Sequence, residues 1–488
     1  MQKLMTTVAS ALIAFSAVAV NPIVTHKYSA DPSGFVWKDR LYVMCSHDLE
    51  GQKHFEMYDY VLLSTDDLVN WTDHGDVFVG GKDVKWCWNL YAPGVVVKDD
   101  KVYLYYPNAG GPIGVAVADR PEGPYTDPLG KALIGREMPG CDSCWVFDPA
   151  AFVDDDGKGY LYFGGNGDTM ARAVRLNDDM VSAQFPGIMM MASKDGKEAT
   201  VMPYFFEASF MHKHNGKYYF SYSANFPDRG ASIDYAIGDK PLGPFEWKGA
   251  MLKNFAENSW NNNHQSIVEF RGKTYIFYHS RLLSKRQKHD NVYERSVSIE
   301  ELKYNEDGTI VKVVPSHEGP KQLKPLDPYA CNRAVTICQD EKVKVTMAGR
   351  QSVVTSLGVG AWLRYAGFKF PSAPGSVTVR CRAYGDASLE VRKGAVDGPV
   401  VAKIALKDTN QRFARVTADV TGLGAETCDL YFVFGGDAYG TEFADYQFAE
   451  KGKKAPLASV EKGADLDAID SAPAKPRLDR NHKDRRPR

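Results

Sequence analysis

The sequence predicts an all-β protein in which a five-bladed β-propeller is followed by a β-sandwich of the jelly-roll type. The first observation is a motif that recurs five times, at spacings of 61, 56, 59 and 57 residues. This period suits a four-stranded blade and exceeds that of helical solenoid repeats. The second observation is a change of pattern near residue 327, where short alternating strands with Gly and Asp turns replace the repeat.

Each copy of the repeat has an anchor, an apolar run, a polar turn and an aromatic strand. The anchors begin, in chain order, at Asp31, Ala92, Asp148, Glu207 and His264. The aromatic strands contain Leu41-Tyr42-Val43, Val102-Tyr103-Leu104, Tyr160-Leu161-Tyr162, Tyr218-Tyr219-Phe220 and Tyr275-Ile276-Phe277. Blades surround a central channel, so we expect the anchors to begin the innermost strands, at equivalent distances from the axis.

Three of the five anchors are acidic, namely Asp31, Asp148 and Glu207. The ring brings them together, although 176 residues separate the first from the last. Several carboxyl groups at one channel mouth are costly, through repulsion and desolvation, unless their protonation states differ. A single Asp before Pro is commonly a turn residue, but acids at the same repeat position in three copies favour catalysis. An acid and a base across a pocket are the usual means of hydrolysing a glycosidic bond.

Composition limits the number of domains and the kinds of partner that the chain is expected to have. With 488 residues, 44% of them hydrophobic, the chain can form two domains. The balance of 59 basic and 61 acidic residues gives no reason to expect a nucleic-acid partner. The 26 Tyr, 24 Phe and 8 Trp fit both many short strands and a sugar-binding surface.

Aromatic residues just before the anchors are the candidate sugar contacts. Trp86, Trp88 and Tyr91 precede Ala92, and Phe206 precedes Glu207. Aromatic faces stack on the apolar faces of sugars, and concave aromatic pockets with few polar groups are usual for small ligands. We expect substrate binding by these four side chains, Trp88 and Phe206 above all, with ordinary packing as the alternative.

Residues 1–19 have the pattern of a secretory signal peptide, with Lys3, an apolar stretch and small residues that end at Ala19. An uncleaved membrane anchor is the alternative, but the apolar run is short for one. We expect a secreted or periplasmic protein without membrane association after cleavage. Eight cysteines in an exported chain permit disulfides. The candidate pairs are Cys141 with Cys144, Cys331 with Cys338, and Cys381 with Cys428.

The remaining chain divides into a propeller at 20–318, a linker at 319–326, a sandwich at 327–449 and a tail at 450–488. From Lys451 onward aromatic residues are absent, and Pro, Ala and charged residues dominate. Such a composition cannot bury enough apolar surface to order itself. We expect a solvated, disordered tail, with an arm that binds acidic polymers as the alternative.

Several motifs occur in order at the blade spacing: Ser29-Ala30-Asp31-Pro32-Ser33, Val146-Phe147-Asp148-Pro149, Phe205-Phe206-Glu207-Ala208-Ser209, Asn262-Asn263-His264-Gln265 and Glu294-Arg295-Ser296. Through them, residues 21–315 resemble glycoside hydrolase family 43, five-bladed propellers that remove arabinofuranosyl or xylosyl units from plant polysaccharides. The resemblance implies that Asp31 is the general base for the attacking water and Glu207 the general acid. Asp148 would be a third carboxylate that raises the pKa of Glu207 and positions it. Inversion is implied, with the carboxyl groups of base and acid about 6.5–9.5 Å apart.

The same resemblance implies roles for two more residues. Arg295 matches an arginine that hydrogen-bonds the sugar, with a salt bridge at a blade edge as the alternative. His264 matches a histidine at the channel centre, near one calcium ion held largely through water. Because calcium prefers oxygen ligands, a histidine that only bridges waters or hydrogen-bonds a carboxylate is the alternative. No organic cofactor is expected.

Within the family, the runs 146–165 and 204–283 most resemble arabinoxylan arabinofuranohydrolases. The expected function is therefore removal of terminal α-L-arabinofuranosyl side chains from the plant cell-wall polysaccharide arabinoxylan. An exo-acting β-xylosidase on xylo-oligosaccharides is the alternative, because the pocket acids are shared and loop shape separates the two substrates. A propeller that binds sugar without cleaving it is the third hypothesis.

Residues 327–449 resemble a carbohydrate-binding module of family 6, through Leu326-Asp327-Pro328-Tyr329, Gly360-Ala361-Trp362-Leu363 and the closing strand that ends at Phe448. Near its end the chain has Glu442-Phe443-Ala444-Asp445-Tyr446, where the family usually has an asparagine and two tryptophans. A xylan-binding module and a purely structural sandwich are both compatible with this departure.

Overall fold

The computed structural model of the protein describes residues 20–193, 199–228, 230–258, 262–409, 411–453 and 455. Within these ranges the chain is all-β, apart from one short helix, α1 (Leu282–Arg286), and a 3-10 turn at Ala256–Asn258. The predicted signal peptide at 1–19 and the predicted tail beyond residue 455 lie outside the described residues. No helix in the described part of the chain is long and apolar enough to cross a membrane.

Five sheets occupy residues 30–302 of the described chain. The first contains β1 (Ala30–Trp37), β2 (Arg40–Ser46), β3 (Asp59–Thr65) and β4 (Trp71–Val79); the second contains β5 (Gly94–Lys98), β6 (Lys101–Pro107) and β7 (Ile113–Ala118). The third contains β8 (Ala150–Val153), β9 (Gly159–Phe163), β10 (Arg172–Leu176) and β11 (Ala183–Met189). The fourth contains β12 (Met191–Ser193), β13 (Thr200–Val201), β14 (Phe205–His214), β15 (Lys217–Phe226), β16 (Gly230–Gly238) and β17 (Phe245–Lys253). The fifth contains β18 (Gln265–Phe270), β19 (Lys273–Ser280) and β20 (Ser296–Leu302).

One edge strand of each sheet contacts the edge strand of the next in cyclic order. β1 contacts β5, β5 contacts β8, β8 contacts β14, β14 contacts β18, and β18 contacts β1. Hydrogen bonds cross between these strands, from Gly34 N–H to Ser266 Oγ (2.9 Å) and from Val95 N–H to Ser33 Oγ (2.9 Å). Every predicted anchor lies in an edge strand or within two residues of its start, and the five predicted aromatic strands lie in β2, β6, β9, β15 and β19.

The sheets pack face to face through side chains that alternate along each strand. On β2, Leu41 and Val43 pack toward the fifth sheet, whereas Tyr42 and Met44 pack toward the second. Successive strand residues point to opposite faces, so a single strand supplies two cores. In the described residues, a core cluster lies between each consecutive pair of sheets, including the fifth and the first. Burial on both faces explains the nearly continuous apolar runs in these strands.

The segment before β1 joins the first sheet to the fifth. Ile23 N–H donates to the Val297 carbonyl (2.9 Å), and Ser29 N–H donates to the Arg295 carbonyl (3.0 Å). These bonds run along β20, the last strand of the fifth sheet. Because Asp31 follows two residues later, the segment sets the position of that acid relative to β20 and Arg295.

Residues 332–450 contribute the remaining strands: β21 (Asn332–Arg333), β22 (Thr336–Ile337), β23 (Gln339–Glu341), β24 (Val343–Ala348), β25 (Gln351–Ser356), β26 (Trp362–Lys369), β27 (Pro374–Arg382), β28 (Ala387–Lys393), β29 (Val400–Leu406), β30 (Ala414–Asp419), β31 (Thr427–Gly436) and β32 (Glu442–Glu450). Ten of them form two sheets, β24-β25-β32-β27-β30 and β23-β26-β31-β28-β29, and β21 pairs with β32. One apolar core takes side chains from both sheets, among them Val379, Phe432 and Phe443. Two sheets that share a core form a sandwich.

The sandwich is attached to the first sheet by hydrogen bonds and buried charges. The strand β22 pairs with β4, and the side chain of Asn70 exchanges two hydrogen bonds with the backbone of Ala366 (2.9 and 3.0 Å). Between the domains, His26 Nε2 lies 2.7 Å from Asp73 Oδ2, and His26 Nδ1 lies 2.9 Å from Asp340 Oδ2. Burial alone would lower the pKa of His26, but the two carboxylates raise it to about 9. The contact therefore includes a buried imidazolium between two aspartates.

The candidate disulfides do not form in this structure, in which all eight cysteines are free thiols. Cys141 and Cys144 are buried, and the Cys144 thiol donates to the Cys141 carbonyl at 3.2 Å instead of bonding to the Cys141 sulfur. Cys331 with Cys338, and Cys381 with Cys428, are likewise not joined. Most of these thiols pack as small apolar side chains.

Candidate active site

The three acidic anchors occupy irregular positions at the starts of their strands. The register between β1 and β2 shifts across Asp31, and the register between β14 and β15 shifts on both sides of Glu207. Asp31 and Asp148 share a left-handed backbone, each with φ of 49°. Aspartate tolerates this conformation better than most residues, and bulges redirect side chains beside active sites. Local irregularity therefore turns these carboxyl groups away from the regular pleat.

The carboxyl groups of Asp31 and Asp148 both lie close to His264, and Glu207 is close enough for its charge to act on Asp148. His264 Nδ1 lies 3.6 Å from Asp31 Oδ1 and 3.8 Å from Asp148 Oδ2. The backbone N–H of Ala208, the residue after Glu207, donates to Asp148 Oδ2 at 3.1 Å. All three acids are buried. The structure thus brings together the four predicted site residues that come from four different sheets.

Asp31 is held as a carboxylate by its neighbours. Arg295 Nη1 donates to Asp31 Oδ1 at 2.6 Å, and Ser46 Oγ donates to Asp31 Oδ2 at 2.9 Å. Burial alone would raise the pKa of Asp31, but the Arg295 guanidinium holds that pKa well below its usual range. Asp31 therefore stays ionised and able to accept a proton from water.

Glu207 has the opposite protonation state. Burial, followed by the charge of Asp31, raises the pKa of Glu207 to about 8, although Arg295 and a hydrogen bond from Asn262 oppose the shift. Burial, followed by the charges of Glu207 and Asp31, raises the pKa of Asp148 well above its ordinary value. Glu207 thus keeps its proton at neutral pH, as a general acid requires. Burial is the larger cause of this state, and the anion whose charge comes next is Asp31, not Asp148, to which the resemblance assigned the shift.

Two histidines beside the acids are neutral. His279 Nδ1 accepts the backbone N–H of Asp31 (3.2 Å), so its Nε2 carries the proton that it donates to the Asn262 carbonyl (3.1 Å). Burial lowers the pKa of His279 and of His264 to about 4 in each case. A neutral His264 can accept a hydrogen bond from a cation-bound water, which fits the water-mediated calcium predicted from the sequence.

Another group with metal-ligand chemistry lies away from the acids. In the described part of the chain, His47, Asp59 and Asp76 place their ligand atoms within 4.8 Å of one another. His47 Nδ1 already contacts Asp59 Oδ1 at 2.7 Å. The charges of Asp76 and Asp59 also act on the buried ammonium of Lys27. The positive charge of Lys27 therefore already interacts with the two aspartates of this group.

Asn262 links the two predicted catalytic groups, a role that the sequence did not indicate. Asn262 Nδ2 donates to Glu207 Oε1 at 2.7 Å, and Arg295 Nη1 donates to Asn262 Oδ1 at 3.3 Å. Because the same guanidinium nitrogen bonds Asp31, an arginine and an amide lie along the path from base to acid. Arg295 is thus buried in the pocket and bonded to the base.

The predicted aromatic contacts are spread over different environments. Tyr91 is near the acids, because the charges of Arg295, Asp31 and Asp148 all act on its hydroxyl group. Phe206 is half-buried beside Glu207, and its carbonyl accepts the N–H of Asn166 (2.7 Å). A sugar contact by Tyr91 or Phe206 stays a prediction.

The two predicted tryptophans, Trp86 and Trp88, contact residues other than the three acids. Trp86 packs on Tyr106, with ring centroids 5.6 Å apart, and donates to Asp127 Oδ2 (2.9 Å). Trp88 is 61% exposed and its ring lies against Gly81, where an added Cβ would meet the ring carbons. The structure gives Trp86 a packing role and Trp88 a surface position, and their contact with sugar stays a prediction.

Exposed aromatic rings also precede two of the acids by three residues. Trp145 precedes Asp148 and is 40% exposed, and Tyr204 precedes Glu207 and is 42% exposed. Tyr204 packs on Phe226 with ring centroids 4.1 Å apart and the rings tilted by 37°. Tyr204 and Phe226 line a cavity of about 430 Å³, together with Pro203, Pro227, Asp228 and Trp247. Aligning the anchors would have revealed this shared position.

Comparison with known proteins agrees with this geometry. Residues 19–310 match the family Glycosyl hydrolases family 43, and residues 333–450 match Carbohydrate binding module (family 6). An arabinoxylan arabinofuranohydrolase of Paenibacillus polymyxa is 35% identical over 474 residues, covering 86% of this chain and 72% of the relative. A xylosidase/arabinosidase of Bacteroides ovatus is 36% identical over 333 residues, covering 60% of this chain and 96% of the relative.

A solved structure extends the match over both domains. It is a glycoside hydrolase family 43 arabinoxylan arabinofuranohydrolase from Bacillus subtilis in complex with cellotetraose. It superimposes with a TM-score of 0.81 at 30% identity, covering 89% of this chain and 99% of that one. The chain therefore belongs to glycosyl hydrolases family 43 and carries a family 6 carbohydrate-binding module.

Proposed function

We propose that the protein removes α-L-arabinofuranosyl side chains from arabinoxylan by an inverting, water-mediated hydrolysis. The observation that carries the proposal is the pair of buried carboxyl groups with different partners, Asp31 bonded to the Arg295 guanidinium and Glu207 to the Asn262 amide. These surroundings favour an ionised Asp31 and a protonated Glu207. The substrate is taken from the arabinoxylan arabinofuranohydrolases, which match this chain over both of its domains.

In this mechanism the Asp31 carboxylate accepts a proton from water as the water attacks the anomeric carbon. Glu207 gives its proton to the oxygen of the departing xylan chain. Arg295 and Ser46 keep Asp31 anionic, whereas Asn262 fixes one oxygen of Glu207. The two carboxyl groups are linked through Arg295 and Asn262, which supports the wider separation of an inverting enzyme over the short one of a retaining enzyme. Asp148, bonded to the backbone beside Glu207, holds the acid in place.

The proposed architecture is a five-bladed propeller at 20–318, a linker at 319–326 and a sandwich at 327–449. The cyclic contacts of the five edge strands support the blade count. The signal-like sequence of residues 1–19 supports export, to the medium or the periplasm. We also assign His264 to a channel calcium ion, which it would hold through water, and such an ion would supply fixed positive charge there.

Product analysis tests the function. The protein is incubated with arabinoxylan and, separately, with linear xylo-oligosaccharides, and the released monosaccharide is identified. Arabinose from arabinoxylan is the expected result. NMR of the first product should show the inverted anomer, and a retained anomer would contradict the assignment of Asp31 as base. Binding without any released sugar would support the non-catalytic hypothesis.

A β-xylosidase is the second candidate. It is favoured by the xylosidase/arabinosidase relative, which is as similar in sequence as the arabinofuranohydrolase but covers 60% of this chain instead of 86%. Release of xylose from xylo-oligosaccharides, with none of the arabinose from arabinoxylan, would select this candidate.

A further inference from the structure

A second buried aspartate holds the arginine of the active site. Asp48 lies two residues after β2 and is 2% exposed. Its Oδ1 accepts from Arg295 Nη2 (2.7 Å), and its Oδ2 accepts from Arg295 Nε (2.8 Å). Oδ2 also accepts the backbone N–H of Arg295 at 2.9 Å. This is the two-pronged arginine–carboxylate geometry that fixes a guanidinium in orientation as well as position.

The opposite edge of the guanidinium faces the reacting groups. Arg295 Nη1 donates to Asp31 Oδ1 (2.6 Å) and to Asn262 Oδ1 (3.3 Å). The ring of Phe55 lies 4.6 Å from the guanidinium carbon and covers one face. A rotation of Arg295 would therefore change its bonds to the base and to the amide that holds Glu207.

We propose that Asp48 is a positioning residue for glycoside hydrolysis, acting through Arg295. It orients the guanidinium so that a single nitrogen serves both the base and the amide beside the acid. It also gives the Arg295 guanidinium a second carboxylate besides Asp31, so that the positive charge of Arg295 is partly compensated. Nothing in the reaction requires Asp48 to touch the substrate.

The charge argument gives a signature in the pH profile. Arg295 opposes the raised pKa of Glu207. Removing the charge of Asp48 leaves more of the Arg295 charge to act on Glu207, which lowers the pKa of that acid. The alkaline limb of activity then moves to lower pH. The other titratable groups around Arg295 and Glu207 are Asp31, Asp148, Tyr91, His264, His279 and Arg281. The charge of Asp48 also acts on Tyr91 and Arg281, and removing it lowers the pKa of each, as it does for Glu207.

The test is Asp48→Asn, assayed from pH 4 to pH 10 on both a chromogenic α-L-arabinofuranoside and a chromogenic β-xyloside. We expect kcat to fall about 10- to 100-fold, since small misplacements in a site are that costly. We expect the alkaline limb of kcat/KM to move down by about 1 pH unit. Using both substrates separates the proposals, because cleavage of the xyloside alone would contradict the arabinofuranosidase and still report on Asp48.

Three variants make the result specific. Asp48→Glu keeps the charge, so its alkaline limb should stay at the wild-type pH even where kcat falls. Asp67→Asn removes another buried aspartate next to the first sheet, and its pH profile should match the wild type. In an Arg295→Gln background, Asp48→Asn should change kcat/KM less than twofold, because its effect passes through the arginine.

Melting curves of each variant confirm that the assayed protein is folded. The inference is overturned if Asp48→Asn has wild-type kcat, or if it loses activity while its alkaline limb stays in place. A further large loss in the Arg295→Gln background would overturn it equally, since Asp48 would then act by another route. If Asp48→Asn does not fold, Asp48→Glu decides: a limb that moves although the charge is kept would contradict the charge argument.

Discussion

The five-sheet region and the sandwich both bury arginines against carboxyl groups, but they balance the charges differently. In the sandwich, Arg380 Nε donates to Asp445 Oδ2 (2.9 Å) and Arg382 donates to Glu442. Around the candidate site, the four carboxyl groups of Asp31, Asp48, Asp148 and Glu207 accompany two arginines, Arg281 and Arg295. Matched charges on adjacent strands serve structure. An excess of buried carboxyl groups must be partly protonated, which is the state that acid–base catalysis uses.

The ion pairs of the sandwich lie where the sequence departs from the family pattern. Glu442 and Asp445 stand where an asparagine and tryptophans are usual in the family, and both are buried on β32. They pair with two arginines of the adjacent strand β27. These residues therefore contribute to the interior at this end of the sandwich, and a sugar contact made by them would first have to break an ion pair.

The largest effect is expected from removing the proton of the candidate acid. Glu207→Gln keeps the side-chain shape and its bond to Asn262 but cannot protonate a leaving oxygen. We expect kcat to fall about 10²- to 10⁴-fold, the usual contribution of a general acid. The measurement is kcat on arabinoxylan at pH 6. A variant with more than a tenth of wild-type kcat would show that another group is the acid.

The equivalent substitution in the sandwich should affect stability instead of turnover. Glu442→Gln leaves the buried guanidinium of Arg382 without its carboxylate, a loss that costs about 3–5 kcal/mol for a buried pair. We expect a lower free energy of unfolding in urea, with kcat on a small chromogenic glycoside within twofold of wild type at 20 °C. Loss of kcat with unchanged stability would mean that the two regions do not divide roles in this way.

Much of this arrangement was predictable from the repeat, and the remainder depended on loops. The anchors at Asp31, Asp148 and Glu207 could be found because blade symmetry makes position in the repeat a guide to position in space. Asp48 occupies no repeated position. Asn262 lies two residues before the fifth anchor, but no other anchor has an amide at the equivalent position. Their roles follow from hydrogen bonds across more than 200 and 50 residues respectively. Local patterns carry no signal for contacts of that range.

The cause of the raised pKa of Glu207 was equally hard to predict from the sequence. The sequence placed several anions together, which predicts raised pKa values through repulsion. For Glu207 the first cause is burial, and burial depends on how tightly the five sheets close. A pattern of residues predicts the proximity of charges better than it predicts their exclusion from water.

The pH dependence of stability should distinguish the two regions as well. Folding raises the pKa of Glu207 from 4.5 to about 8, so the folded state binds this proton more tightly than the unfolded state. The stabilisation is complete below about pH 4.5 and is lost as pH rises through about 8. Glu207→Gln lacks this loss, so its Tm relative to wild type should rise between pH 5 and pH 9, by about 1–2 °C for each kcal/mol.

The control for that experiment is Glu442→Gln, which changes a pair in the sandwich. Its Tm deficit should be similar at pH 5 and pH 9, because the lost carboxylate belongs to a matched pair. A Tm difference between Glu207→Gln and wild type that is constant over the same range would contradict the protonated state assigned to Glu207.

The smallest expected effect concerns the exposed rings beside the acid. Tyr204 is the third residue before Glu207, so their Cα atoms are at most about 11 Å apart, and its ring lines the cavity with Phe226 and Trp247. A polymer bound at Glu207 would reach this cavity, whereas a small glycoside would not extend to it. Tyr204→Ala should raise KM for arabinoxylan about 3- to 10-fold, for a stacking contact of about 0.5–1.5 kcal/mol. Tyr204→Phe keeps the ring and should bind the polymer like wild type. An equal rise in KM on arabinoxylan and on the small glycoside would place Tyr204 in the acid pocket itself. The cavity would then not be a separate contact for the polymer.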